Sequence, residues 1–159
     1  MTSCQYHPDQ MNESWKFRIE DRVRWGDVDA ARIIFYGAYI RFFEIAETEL
    51  FRTVGLPYGV AFDQLDIWLP RVHLECDFRR AARLDDLLVV SVFVARFGHK
   101  SFRLNFEVKR KDEDDLVADA HFILASVRRD SFETVPVPEE LKRRLAPYTQ
   151  PAEATASDS

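Results

Sequence analysis

Cysteine is scarce in this sequence, and long hydrophobic runs are missing. The two cysteines, Cys4 and Cys76, are too few for a disulfide framework, which favours a reducing compartment. No stretch approaches the roughly 18 continuous apolar residues of a membrane-spanning helix. The polar segment from Met1 to Glu13 also lacks the apolar core of a secretory signal. The sequence therefore predicts a cytoplasmic protein with no membrane segment.

Glycine is also rare, and its positions exclude three classes of enzyme. A serine hydrolase of the α/β type requires a Gly-x-Ser-x-Gly turn. Phosphate-binding loops and dinucleotide-binding folds require Gly-x-x-x-x-Gly-Lys and Gly-x-Gly-x-x-Gly. The glycines lie at positions 26, 37, 55, 59 and 98, and no combination of them completes any of these motifs.

Positive charge is in deficit, and metal-binding patterns are absent. Lys and Arg total 22 against 27 Asp and Glu, a formal charge of −5, which argues against a nucleic-acid partner. His73 and Cys76 are three residues apart on a predicted strand, so their side chains point to opposite faces. The segment from Asp27 to Asp29 opens like a calcium loop, but its sixth position is Arg32 instead of Gly. We predict neither a metal nor a cofactor.

The chain has the length of one domain with its own core. The polar ends lack a periodic apolar pattern. We therefore expect a single domain over residues 15–148, with flexible tails at 1–14 and 149–159.

The first predicted elements are a strand and a long helix. Residues 16–25 alternate with a period of two, with apolar side chains on one side of a half-buried strand. From Gly37 to Val54 the apolar residues recur every three or four positions, which predicts a helix that buries one stripe. Gly55 and Pro57 are its stop signals. The apolar strand positions are Phe17, Ile19, Val23 and Trp25.

The remainder of the chain favours strands joined by short polar turns. After a connection at 58–69, four apolar or alternating runs follow at 72–78, 87–94, 102–108 and 116–127, and a short closing turn is expected at 139–145. A strand, a long helix and an antiparallel meander indicate an α+β domain in which one curled sheet covers one helix.

Two carboxylates, Asp27 and Asp29, lie in the predicted loop between the first strand and the helix. A carboxylate beside apolar Ile34 and Phe35 would be partly desolvated and available as a nucleophile or general base. The first backbone N–H groups of the helix, near Tyr36 and Gly37, would face an oxyanion. On position alone, however, an aspartate between a strand and a helix is more often a turn or capping residue.

The segment from Arg24 to Tyr39 resembles the 4-hydroxybenzoyl-CoA thioesterase family of hotdog proteins. The resemblance rests on Gly26-Asp27-Val28-Asp29, on Ile33 four residues later, and on the Gly55-Leu56-Pro57 stop. It extends through Pro70, Asp85-Asp86 and Lys100-Ser101-Phe102, over roughly residues 16–145. It implies a hotdog fold: a six-stranded antiparallel sheet wrapped around one long helix.

By this resemblance the protein is an acyl-CoA thioesterase that forms a homodimer or homotetramer with sites at the subunit interface. Asp29 is the implied catalytic carboxylate, the backbone of Tyr36 polarises the thioester carbonyl, and Asp27 organises the loop. His99 and Lys100 stand where a relative has a basic cluster, so they are candidate contacts to the CoA phosphates. The candidate substrate-binding residues are Ile34, Phe35, Glu44, His99 and Lys100.

Two other functions stay open at this point. A hydrolase of acyl-carrier-protein thioesters would use the same carboxylate. A non-catalytic acyl-binding hotdog subunit would not need it, and the presence of Asp29 weighs against that reading. A hotdog dehydratase is disfavoured because no histidine lies near Asp29 in the sequence.

Overall fold

A five-stranded antiparallel sheet and a long helix organise the chain in this computed structural model, which describes residues 13–152. The sheet order is β1-β4-β5-β6-β3, and β2 pairs with β7 in a separate two-stranded ribbon. The elements are β1 (Phe17–Arg22), α1 (Tyr39–Thr53), α2 (Tyr58–Leu65), β2 (Ile67–Trp68), β3 (Arg71–Phe78), β4 (Leu87–Phe97), β5 (Ser101–Arg110), β6 (Leu116–Ala125), β7 (Val127–Arg128) and α3 (Glu139–Leu145). The predicted α+β architecture is confirmed.

Helix α1 forms where its apolar period predicted it. A short 3-10 turn at Tyr36–Ala38 precedes its first residue, Tyr39. At the other end Gly55 has φ +81°, and two hydrogen bonds close the last turn, from Gly55 N to Arg52 O (3.1 Å) and from Leu56 N to Phe51 O (2.8 Å). This paired pattern with a left-handed glycine is a Schellman motif, which satisfies the last carbonyl groups of the helix.

The apolar stripe of α1 lies against the inner face of the sheet. Phe42, Phe43, Ala46 and Leu50 are fully buried. The ring of Phe43 lies 4.9 Å from Phe106 on β5. Burial of side chains of this size contributes about 1.5–3 kcal/mol each, so the helix and the sheet stabilise one another.

Strand β1 is shorter than predicted. It ends at Arg22, and a 3-10 turn follows at Trp25–Asp27. Trp25, which we expected on the apolar side of the strand, is 77% exposed, so that expectation was wrong for this residue. The pairing of β1 with β4 ends at Arg22, and Val23 bonds instead to the backbone of Asp85 and Asp86 in the turn before β4, so the chain leaves the sheet before Trp25.

Four further features differ from the sequence prediction. The connection at 58–69 contains helix α2 and strand β2; eight helical residues that include Gly59 give too short a pattern to detect. The last apolar run divides into β6 and β7 around Ser126. The main sheet has five strands rather than the implied six, because β2 pairs with β7 instead. The closing turn at 139–145 is helix α3.

The described chain extends slightly beyond the predicted domain. Beyond its C-terminal boundary, Gln150 N donates to Val94 O at 2.8 Å; at the first predicted residue, Trp15 packs edge-on against Phe93 with ring centroids 4.7 Å apart. Residues 1–12 and 153–159, which make up most of the predicted tails, lie outside the described residues. The boundaries at 15 and 148 therefore stay predictions.

Candidate active site

Asp29 lies in a tight hairpin between β1 and α1. Val28 and Ile34 pair across the hairpin, and Asp29 N donates to Ile33 O at 3.0 Å. The turn closes with a hydrogen bond from Arg32 N to Asp29 O (2.9 Å), and Arg32 has φ 64°. The hairpin fixes the backbone of Asp29, although the residue lies outside the sheet.

One oxygen of the Asp29 carboxylate is engaged and the other is available. Oδ1 accepts a hydrogen bond from Ala31 N at 2.8 Å, which locks the side chain to its own turn. Within residues 13–152 the structure gives Oδ2 no hydrogen-bond or ion-pair partner. The side chain is exposed in the single chain. Asp29 is thus held in one orientation with a free acceptor.

Asp27, two residues earlier, is a buried ion-pair partner. It is 5% exposed, and its Oδ1 accepts from Arg41 Nε at 2.9 Å, while Oδ2 accepts from Arg24 N at 2.8 Å and from a second nitrogen of Arg41. Burial alone would raise the pKa of Asp27, but the hydrogen bonds and positive charge of Arg41 outweigh burial and lower it. Asp27 therefore ties the loop to α1, as the predicted loop-organising role requires.

The start of the helix presents free backbone donors. In the part of the chain that the structure describes, the N–H groups of Tyr36 and Gly37 have no hydrogen-bond acceptor. The ring of Phe35 packs closely against Gly37. A Cβ at position 37 would lie only 2.9 Å from that ring, so the absence of a side chain there makes the contact possible. Such unpaired N–H groups at the positive end of a helix are suited to stabilising an oxyanion.

A cleft of about 290 Å³ opens beside these donors. Two of the predicted site residues, Ile34 and Tyr36, form part of its wall. Asp29, Phe35 and Gly37 are on the hairpin and turn that border it but do not line it. The lining residues are Ile33, Ile34, Tyr36, Tyr39, Phe78, Arg79, Arg80 and Ala81.

The remaining predicted site residues lie away from this cleft. Glu44 is on an exposed side of α1, whereas Glu47, one turn later, is the buried glutamate and binds Arg71 and Tyr58. His99 and Lys100 are exposed in the β4–β5 hairpin.

The sheet register separates that hairpin from Asp29. The first residue of β4, Leu87, pairs with Arg22, next to the Asp29 hairpin, while its last residue, Phe97, leads into His99 and Lys100. At about 3.3 Å per residue, the length of β4 puts roughly 30 Å between them. One chain therefore does not bring His99 or Lys100 to its own Asp29.

The positive charge at the cleft comes from two arginines that the sequence analysis missed. Arg79 and Arg80 follow β3 directly and line the cleft. Arg79 binds Asp119, and Arg80 forms an exposed ion pair with Asp115 at 3.2 Å. The sequence signal was an Arg-Arg pair after an alternating strand, but nothing local shows which end of the sheet that strand reaches.

Cysteine chemistry is not available at this site. Cys76 is the free cysteine of the described range, and burial, with added repulsion from Asp119 and Asp77, raises the pKa of its thiol to about 11. A thiol with this pKa is not a thiolate at neutral pH, so Cys76 is not an activated nucleophile.

A family model described as the Thioesterase-like superfamily matches residues 23–145. The chain belongs to this superfamily. The match begins just after β1 and ends with α3, so it includes the Asp29 hairpin, the helix and the other four strands of the main sheet. The predicted family, hotdog fold and class of activity, thioester hydrolysis, are confirmed.

Individual relatives agree with this assignment. The chain is 29% identical over 126 residues to an acyl-CoA thioesterase, YbgC, of Haemophilus influenzae, covering 79% of this chain and 91% of that protein. It is 24% identical over 127 residues to a 1,4-dihydroxy-2-naphthoyl-CoA hydrolase of Synechococcus elongatus, covering 79% and 92%.

Solved structures show the same fold. A 1,4-dihydroxy-2-naphthoyl-CoA thioesterase from Synechocystis superposes with a TM-score of 0.76 at 20% identity, covering 82% of this chain and 96% of that one. A 4-hydroxybenzoyl-CoA thioesterase, an aspartate-to-asparagine variant in complex with 4-hydroxybenzoyl-CoA, has a TM-score of 0.74 at 24% identity, covering 82% and 98%. No helix within residues 13–152 has the length and apolar character to cross a membrane.

Proposed function

We propose that this protein hydrolyses an acyl-CoA or aroyl-CoA thioester to the free acid and CoA, with Asp29 as the catalytic carboxylate. The observation that carries the proposal is the pairing of two features on one short segment. A carboxylate with a free oxygen is fixed in the hairpin, and unpaired N–H groups of Tyr36 and Gly37 follow at the helix start. Attack on a thioester carbonyl needs both features.

The arrangement supports two forms of the same hydrolysis. Asp29 either attacks the carbonyl carbon and forms an anhydride that water opens, or removes a proton from the water that attacks. In both, the carbonyl oxygen becomes negative beside Tyr36 N and Gly37 N, and the C–S bond breaks to release the CoA thiolate. The free acid and the thiol are the products.

The walls of the cleft suggest where the acyl group binds. Tyr36 and Phe78 are 78% and 54% exposed, and the buried Ile34 and Tyr39 lie behind them. We place the acyl or aroyl group against these apolar side chains, with Phe35 beside them at the edge of the cleft. Contacts from Glu44 stay a prediction, since Glu44 does not line this cleft in the single chain.

The CoA phosphates need positive charge near the mouth of the cleft, and Arg80 provides it. Both side chains of its ion pair with Asp115 are exposed, and such exposed pairs contribute little to stability. A phosphate therefore competes with Asp115 for Arg80 at small cost in free energy. Lys100 and His99 reach the same CoA only if a neighbouring subunit brings its hairpin to the cleft.

We expect Arg80→Ala to raise KM for an acyl-CoA about 5-fold with little change in kcat. A phosphate contact remote from the carbonyl contributes similar binding in the ground state and the transition state. Lys100→Ala is the matched control, which removes one exposed positive charge at the opposite end of the sheet. A larger rise in KM for Lys100→Ala than for Arg80→Ala would show that the phosphates lie against a partner's hairpin instead.

We also propose that the working unit is a homo-oligomer, a dimer or a tetramer. Strand β3 is at the edge of the sheet, and Val72, Leu74 and Phe78 along it are 62%, 47% and 54% exposed. An edge strand with exposed apolar side chains favours pairing with a second copy. A partner would also cover Tyr36 and reduce the exposure of Asp29.

Light scattering at micromolar concentration should give at least twice the 18.6 kDa chain mass. We expect Leu74→Glu to shift the mass toward the monomer, because it places a charge on the apolar edge. Val60→Glu is the control, since Val60 is 50% exposed and lies on α2 rather than on β3. A monomeric wild type would contradict the proposal.

Release of free thiol from a panel of acyl-CoA and aroyl-CoA thioesters tests the proposed function directly. Thioesters that carry the same acyl groups on acyl carrier protein distinguish hydrolysis of acyl-CoA from hydrolysis of acyl-carrier-protein thioesters. Binding of acyl-CoA without thiol release would identify a non-catalytic acyl-binding subunit. A cytoplasmic location and the absence of a nucleic-acid partner stay predictions from the sequence.

A further inference from the structure

The outer face of the sheet, opposite α1, carries a cluster of His73, Glu75 and His121. Glu75 on β3 lies directly across from His121 on β6. His73 is two residues before Glu75 on β3, so its side chain projects from the same face. Phe122, next to His121, faces the core, which places the cluster on the side away from the helix.

The three side chains already converge. His73 Nε2 and His121 Nε2 lie 3.6 Å and 3.9 Å from Glu75 Oε2, and one ligand atom from each residue is within 4.8 Å of the other two. Ligand atoms around tetrahedral zinc, with bonds of about 2.0–2.1 Å, are roughly 3.3 Å apart. The separations of 3.6 and 3.9 Å exceed this value by less than 1 Å, and the upper limit of 4.8 Å exceeds it by about 1.5 Å, so side-chain shifts of that order bring the ligand atoms to zinc distances.

The positions of the three residues permit that movement. The side chain of His121 is 15% exposed and is held between strands, whereas those of His73 and Glu75 are 49% and 61% exposed on the edge strand. His121 thus supplies a fixed ligand, and two mobile side chains can adjust to it.

We propose that His73, Glu75 and His121 bind a divalent transition-metal ion, with Zn²⁺ as the ion that fits best. Two imidazoles and one carboxylate are the donor set that zinc accepts, with water in the fourth position. Imidazole favours zinc over magnesium or calcium, which take oxygen ligands. The ion would clamp the edge strand β3 onto β6.

The surroundings of the cluster favour a cation. A groove of about 120 Å³ adjoins it, lined in part by Glu75, Asp77, Glu107 and Asp119, and it gives solvent access to His121. The opposing charges are Arg103, whose Nε is occupied by a hydrogen bond to Asn105 Oδ1 at 2.8 Å, and Arg79 and Lys16, which pair with Asp119 and Glu107.

The local sequence around His73 predicts no metal site, because strand alternation places His73 and Cys76 on opposite faces. His121 lies 48 positions after His73 in the sequence, and only the β3–β6 register brings them together. The stacked imidazole rings, with centroids 5.2 Å apart, are the structural sign of that register.

The test is calorimetric titration of the full-length, chelator-treated protein with ZnCl₂. We expect one site per chain that weakens at least about 10-fold in both His73→Ala and His121→Ala, since each removes a ligand outright. His99→Ala is the matched control, because it removes an exposed histidine from the distant β4–β5 hairpin, and it should bind Zn²⁺ like the wild type. Cys76→Ser should also leave binding unchanged.

Thermal unfolding gives a second measurement that does not depend on enzyme activity. Zn²⁺ should raise the melting temperature of the wild type and of His99→Ala, but not that of His73→Ala. His73 is exposed, so its replacement leaves the fold intact even if His121→Ala does not. Zinc binding that survives both ligand substitutions, or that is lost equally in His99→Ala, would overturn the proposal.

Discussion

Asp29→Asn is expected to lower kcat on a good acyl-CoA substrate by about 10²–10⁴-fold, the range for loss of a general base. Loss of a nucleophile would cost more. The amide still accepts the hydrogen bond from Ala31 N that holds the side chain in its turn. It neither attacks a carbonyl nor takes a proton from water. The melting temperature and the affinity for a non-hydrolysable acyl-CoA analogue should therefore stay close to those of the wild type.

The neighbouring aspartate provides the control for this experiment. Asp27→Asn makes the same chemical change two residues away, but at a carboxylate that is buried against Arg41. We expect stability to change there, and turnover of the fraction that stays folded to change far less. Wild-type turnover in Asp29→Asn would remove the catalytic assignment and favour the acyl-binding reading.

Local pattern was sufficient to predict the main helix and its end. The stripe of Phe42, Phe43, Ala46 and Leu50 needs only the period of the α-helix and a face to bury. Gly55 has the left-handed backbone conformation, which costs free energy for a residue that has a Cβ. The hairpin around Asp29 could be placed between strand and helix for the same reason, because its determinants are close in sequence.

Features that depend on long-range register could not be read in this way. The resemblance named Lys100 as a candidate phosphate contact, but it carries no information about whether the same chain or a partner brings Lys100 to Asp29. Arg80, which does lie at the cleft, is 51 residues after Asp29 and reaches it because β3 is antiparallel to β6 and ends beside the hairpin. The burial of Asp27 depends in the same way on Arg41 reaching back from the helix.

The two aspartates of this short segment have different roles, since Asp27 is structural and Asp29 is the proposed catalytic carboxylate. The 3-10 turn at Trp25–Asp27 directs Asp27 inward to the first part of α1. The hairpin then directs Asp29 outward, where one oxygen is free. A fixed carboxylate is useful for catalysis only if the loop that carries it is rigid, so the ion pair of Asp27 supports the geometry at Asp29.

Asp27→Asn is accordingly expected to lower the free energy of unfolding by about 2–3 kcal/mol. Removing one partner of a buried ion pair costs roughly 3–5 kcal/mol. We expect a smaller loss than this range here, because the Arg41 side chain is 29% exposed and keeps its ion pair with Asp21 at 2.7 Å. Urea denaturation at pH 7 measures the difference, and a loss below about 0.5 kcal/mol would show that the pair contributes little.

The pH dependence of that loss separates charge from shape. Because the pKa of Asp27 is lowered in the folded protein from an ordinary value of 3.8, its stabilisation is fully present above that value. It is lost as the pH falls through the lower folded pKa, where the carboxylate becomes protonated. The difference in unfolding free energy between the wild type and Asp27→Asn should thus be constant from pH 7 to 5 and should narrow below about pH 4. An equal difference at every pH would mean that the amide disturbs the packing, and that the charge on Asp27 is not what holds the loop against α1.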